Sequence, residues 1–289
     1  MGFQTAISEI TLVLFTTLAP SGVVAYSIVS LLALFSRSDT HTFTQLNRFL
    51  ILPFIVILVG LVASATHLGN PSNALYVFLG VSHSPLSQEV VSAVAFLAIA
   101  EFAWLYSFVQ HPCVWLQKIF LVMGIVCGAV FLYCMAFAYS ATTIVTWAMW
   151  EVPFNLCVNA LVCGPVVALL TVTLADVNLA NEKLCMTLIA CSGVAVIVNI
   201  IGYLMQYYEL GLISNAVIEA TSLVPNYMFM LVVFICASIG ANIAYLKACI
   251  SHRSHMIFVG VGATAALFIG IFCMRFVFYQ MHMTTGLGI

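Results

Sequence analysis

The chain has 289 residues, of which 64% are hydrophobic and 6% charged, with seven basic and nine acidic side chains and a formal charge of −2. An ordinary soluble domain is about 45–50% apolar and about 25% charged, so too few charges are present to solvate a folded surface of this size. A soluble globular enzyme, a disordered chain and a coiled coil are excluded. A nucleic-acid binder is excluded as well, because no basic stripe is present to displace counterions. A polytopic membrane protein remains.

A bilayer core about 30 Å thick needs about 20 apolar residues per helix. Eight runs meet that length: Ile7–Phe35, Phe49–Thr66, Val90–Gln110, Trp115–Tyr139, Val152–Ala175, Leu184–Tyr208, Tyr227–Leu246 and Met256–Tyr279. None alternates with the period of two that marks a membrane β-barrel strand. The expected fold is therefore all-α, one membrane domain over residues 1–289 with eight transmembrane helices. The segment His67–Ala74 matches Glu209–Ala216 at five of eight positions, four spans later. This is either chance or the trace of two four-helix bundles, with repeat halves 1–145 and 146–289.

The connections set the orientation. Arg37, Arg48, Lys118, Lys183, Lys247 and Arg253 lie in or beside odd-numbered connections, and the even ones carry no basic residue. The positive-inside rule makes the odd side cytoplasmic, so both termini are expected outside. Arg275, near the outer end of the last span, is left over. The ten cysteines form no C-x-x-C pair and read as small hydrophobes, so no metal or iron–sulfur site is expected. None of the seven histidines is central in a span, which argues against a haem.

Polar residues gather on the outer side. Thr66–Asn73 and Ser82–Glu89 fill the second connection. Thr142, Thr143, Thr146, Trp147, Trp150 and Glu151 mark the fourth, Tyr207, Tyr208, Glu209, Glu219 and Tyr227 the sixth, and Arg275, Tyr279 and His282 the C-terminal end. Trp147, Trp150, Tyr207 and Tyr227 read mainly as an interfacial aromatic belt. Glu101 stands apart, twelve residues beyond Glu89 and about 18 Å deeper along the third span. It reads as a buried carboxyl, either a step in a proton path or a protonated group bonded to a neighbouring helix.

Several segments are similar to a known family. THLGNPSNAL at 66–75, SPLSQE at 84–89, CGP at 163–165, LVPNY at 223–227 and RFVFYQMHMTTG at 275–286 resemble the membrane-anchor subunit of the dimethyl sulfoxide reductase family. The resemblance covers the whole sequence. It departs from the family at Asn73, Ser82, His83 and Met274, which bears on quinone type and partner docking. It implies that the protein binds and oxidises menaquinol at the outer face of the cytoplasmic membrane. Electrons would then pass to an iron–sulfur subunit and on to a molybdopterin catalytic subunit.

Oxidising a quinol requires a grip on two oxygens and acceptors for two protons. His67 is the candidate for one oxygen, since a neutral imidazole accepts a hydroxyl proton reversibly; otherwise it caps a helix end beside Gly69. Glu89 is the candidate proton acceptor, or else an acid complementing the dipole of a helix that it begins, with Ser87 as cap. Arg275 would polarise an oxygen or hold Glu89 ionised, or else snorkel to the interface. Tyr279 lies one turn further on the same face. His67 and Glu89 are thus the expected catalytic pair, and His67, Gly69, Glu89, Arg275 and Tyr279 the expected quinol-binding set. Two other functions fit the same sequence: a polysulfide- or nitrite-reductase type of quinone-reactive anchor, and a secondary transporter with a helix break at Gly164-Pro165.

Overall fold

A computed structural model describes residues 2–36, 40–67, 71–177, 182–215, 218–251 and 255–283. Among the described residues, eight helical spans are long and apolar enough to cross a membrane. Short α1 (Gly2–Ser8) leads into α2 (Ile10–Phe35). The second span is α3 (Thr40–Phe49) continued by α4 (Ile51–Ala65). Then come α5 (Pro85–Tyr106), α6 (Val114–Ala138), α7 (Glu151–Leu174), α8 (Glu182–Leu210), α9 (Tyr227–Ser251) and α10 (Met256–Gln280). The protein is thus an all-α polytopic membrane protein, as expected from length and hydropathy.

Two helices make the centre. α7 is the most buried span and α2 the next, and they pack on each other. α4 and α6 flank α2, α8 flanks α7, and α10 closes over both central helices. With a hydrocarbon surround, apolar burial alone cannot drive this packing, so close backbone approach has to. Gly164 provides it: a β-carbon there would meet Val24 Cγ1 at 2.5 Å and Cβ at 2.6 Å. α7 runs unbroken through Gly164-Pro165, so the pair marks a helix contact and not the break expected of a transporter. Pro20 likewise sits inside α2 without ending it.

Both described ends of the polypeptide lie on one face of the bundle, called here the terminal face. Val145 N donates to Met283 O at 3.2 Å, and the hydroxyl of Thr146 donates to Met281 O. At Gly2, a β-carbon would meet Leu223 O at 2.5 Å and Gln280 O at 2.6 Å, so α1 seats tightly against the end of α10. A 3-10 helix (Pro71–Gly80) precedes α5 on this face.

Four local readings change. The first apolar run is interrupted at Glu9, which separates α1 from α2. α5 begins at Pro85 with Ser84 as its cap, the Ser84 side chain accepting from Ser87 N at 3.4 Å. Glu89 therefore sits in the second turn, where the dipole acts weakly, and not at the helix start. Glu101 is exposed on the bundle surface and is no buried carboxyl. The buried face of α5 runs through Glu89, Ala93, Phe96, Ala100 and Ala103. At about 100° per residue, Glu101 lies about 120° round from Glu89.

Candidate functional site

The last turns of α10 are buried on every side, from Met274 to Gln280. A guanidinium held there must be compensated, since an unpaired charge at membrane depth is costly. Arg275, 3% exposed, donates from Nε to Thr16 Oγ1 on α2 at 3.0 Å. Its guanidinium carbon lies 4.1 Å from the centre of the Phe278 ring and 5.7 Å from those of Tyr139 and Tyr279. These contacts hold the plane by cation–π attraction. Pro20 has no N–H to offer the Thr16 carbonyl, so α2 is loosened at the turn that meets the arginine.

Glu89, 2% exposed, enters the same space from α5. It lies within electrostatic reach of Arg275 without a direct ion pair, and neither of its carboxylate oxygens has a hydrogen-bond partner. Arg275 Nη2 and the Tyr279 hydroxyl are also unpartnered. The Tyr279 hydroxyl lies beside those of Tyr139 and Thr16 without reaching hydrogen-bond geometry. Buried polar groups are normally satisfied, so this concentration of free acceptors and donors marks a place for a polar ligand. Glu89, Arg275 and Tyr279 thus converge, joined by Thr16 and Tyr139, which sequence reasoning did not single out.

His67 lies elsewhere on the terminal face. α4 ends at Ala65, and the imidazole Nε2 stands 3.1 Å from Glu9 Oε2. The pair is half-buried, at 40% and 27% exposure. Glu9 was hidden inside an apolar run; its signal was its position seven residues before Thr16. Glu9 immediately precedes α2 and its carbonyl accepts from Val13 N at 3.0 Å, so it stands about two turns, or about 10 Å along the axis, from Thr16. The His67–Glu9 pair therefore stands over the Arg275 cluster. Gly69 lies outside the described residues.

The expected aromatic belt divides. Trp150 is exposed, as a belt requires, whereas Tyr207 is half-buried with its ring 4.9 Å from that of Tyr227. Trp147 donates from Nε1 to Phe278 O at 3.2 Å and stacks on Phe278 at 4.6 Å, so it walls the arginine cluster. His282 meets the other edge of Trp147. Tyr227 is fully buried and donates to Tyr203 O at 2.8 Å. It belongs to a second polar network, in which Asn155 Nδ2 donates to Gln206 Oε1 at 3.1 Å and Asn159 Nδ2 to Tyr203 Oη at 2.8 Å. Asn199 completes it with a bond to Asn159 Oδ1 at 2.5 Å. This network ties α7, α8 and α9 together, the usual work of polar side chains between membrane helices.

The fold and this cluster define an integral membrane protein of eight spans that keeps a cationic, aromatic-walled site near one end of its bundle. Residues 3–281 match the family model of the DMSO reductase anchor subunit (DmsC), and the protein belongs to that family. It is 27% identical over 285 residues to the YnfH subunit of an anaerobic dimethyl sulfoxide reductase of Escherichia coli K12, covering 96% of each protein. It is 28% identical over 294 residues to the C subunit of the anaerobic dimethyl sulfoxide reductase of Haemophilus influenzae Rd, covering 99% of each. The C subunit of the E. coli K12 enzyme is 28% identical over 244 residues, 82% of each. The family resemblance seen in the sequence motifs holds. The protein is a multi-pass membrane anchor, and an anchor subunit implies catalytic and electron-transfer partners.

Proposed function

We propose that the protein binds menaquinol at the terminal face, oxidises it, and passes the electrons to an iron–sulfur subunit that serves a molybdopterin catalytic subunit. The names of the similar proteins, all from anaerobic dimethyl sulfoxide reductases, favour that sulfoxide or a related compound as the terminal acceptor. The terminal face would look outward from the cytoplasmic membrane, because the described basic residues Arg48, Lys118, Lys183 and Lys247 lie toward the helix ends away from it.

The separation between the His67–Glu9 pair and the Arg275 cluster carries the reading. A para-quinol holds its oxygens about 5–6 Å apart, and a hydrogen bond adds about 2.8 Å at each end, so groups about 11 Å apart can grip one ring. Glu9, which pairs with His67, and Thr16, which holds Arg275, are about 10 Å apart along the α2 axis, a spacing compatible with that span. One hydroxyl would donate to His67 and the other to Glu89. The guanidinium, fixed by Thr16 and Phe278, would stabilise the negative charge that develops as each O–H bond breaks. Each quinol releases two electrons and two protons, the protons passing to His67 and Glu89. With both electrons and protons leaving at the same face, turnover would move no charge across the membrane.

The test is a variant of the assembled complex. His67→Ala is expected to abolish quinol-dependent reduction while dye-dependent reduction survives. Retention of quinol-dependent activity would show that the ring binds elsewhere.

A further inference from the structure

Glu9 has no part in the reading above except as a landmark. Its carboxylate is the one ion-pair partner of His67 among the described residues, at 3.1 Å from Nε2. That contact leaves Nδ1 as the ring nitrogen available to a ligand. Both side chains are partly exposed, whereas the Arg275 cluster beneath them is sealed. The pair is thus the part of the site open to water, and His67, at 40% exposure against 27% for Glu9, is the more open of the two.

We infer that Glu9 and His67 form a proton-accepting dyad, with the Glu9 carboxylate orienting the imidazole and stabilising the imidazolium formed when His67 receives a proton. The inference rests on the quinol reading of the site. In the step, the O–H bond of the quinol breaks and an N–H bond forms at His67 Nδ1. The imidazolium, held at Nε2 by the Glu9 carboxylate, then releases the Nδ1 proton to water at its exposed ring, leaving the neutral Nε2–H tautomer for the next turnover. A carboxylate paired with an imidazole both fixes the tautomer and stabilises the imidazolium that forms. Glu9 is a positioning residue, since it reaches the quinol only through His67.

The contrast between carboxylate and amide tests this. In membranes holding the complete complex, a short-chain naphthoquinol serves as reductant, and dye-dependent turnover reports assembly. Glu9→Gln keeps a hydrogen-bond acceptor for Nε2–H but carries no negative charge to stabilise the imidazolium. It is expected to lower kcat at least about tenfold with KM within about twofold, a modest share of the usual effect of general-base loss. Glu9→Asp is expected to stay within about threefold of the parent kcat. A Gln variant with the parent kcat overturns the inference, since a residue that only shapes the helix end would tolerate the amide. His67→Ala separates the two levels of the argument. If it silences quinol oxidation while Glu9→Gln does not, the dyad fails and the quinol site stands. If His67→Ala also leaves quinol oxidation intact, the site itself is misplaced. Should Glu9→Gln not assemble, Glu9→Asp and Glu9→Asn give the same contrast at equal length. Asp turning over at least about tenfold faster than Asn is expected, and equal rates overturn the inference.

Discussion

Replacing Arg275 by lysine keeps the charge and removes the geometry. The ammonium cannot reproduce both the bond from Nε to Thr16 and the flat stack 4.1 Å over Phe278. A hydrogen bond from a charged donor is worth about 1.5–3 kcal/mol, and a desolvated cation–π contact adds about 0.5–2 kcal/mol. Lysine would recover part of this by reaching a neighbouring oxygen, so a net loss of about 2 kcal/mol is a reasonable expectation. If that loss falls on the transition state, quinol oxidation slows about 30-fold. Thr16→Val removes only the hydroxyl partner and should cost about 1 kcal/mol, or about fivefold. The assay is quinol-dependent against dye-dependent reduction by the same membranes. An Arg275→Lys complex within twofold of the parent rate would refute the idea that an oriented guanidinium is needed.

Three further outcomes are expected. Glu89→Gln should slow quinol oxidation by at least about tenfold without loss of assembly, and an unchanged rate would reduce Glu89 to a structural role. Purified complex in proteoliposomes should turn over without generating a membrane potential; a potential-sensitive dye that responds to turnover would contradict the electroneutral scheme. Gly164→Leu should destabilise the protein in detergent by at least about 1–3 kcal/mol, because side-chain atoms would be forced into Val24 where α2 and α7 meet. Parent-like thermal stability of that variant would mean that the two helices can separate at little cost.

The spans were legible because each must fill a fixed hydrocarbon thickness with apolar residues, and eight such runs could be read directly. What escaped was the direction in which each side chain faces. Glu101 was placed at depth by counting residues, yet depth says nothing of azimuth, and the residue lies well round from the buried face of α5. Glu89, Arg275 and Tyr279 were singled out individually from their position at one end of the spans. Their convergence depends on α10 packing against α2, which no local pattern encodes. Thr16 was missed because a threonine in an apolar run reads as a tolerated small polar residue, and Glu9 because the run was read through it. Its partner His67 is 58 positions away, and nothing near either residue reveals the pairing. Trp147 and Tyr227 share the amphipathic chemistry of interfacial aromatics, so composition could not tell a wall or a network member from a belt.

The most direct test of the central claim is a structure of the complete complex with a quinone-analogue inhibitor bound. The account predicts the ring under the terminal face, with one oxygen within hydrogen-bond reach of His67 and the other within reach of Glu89 or Arg275. A ring bound at the opposite face, or out of reach of His67, Glu89 and Arg275, would contradict it.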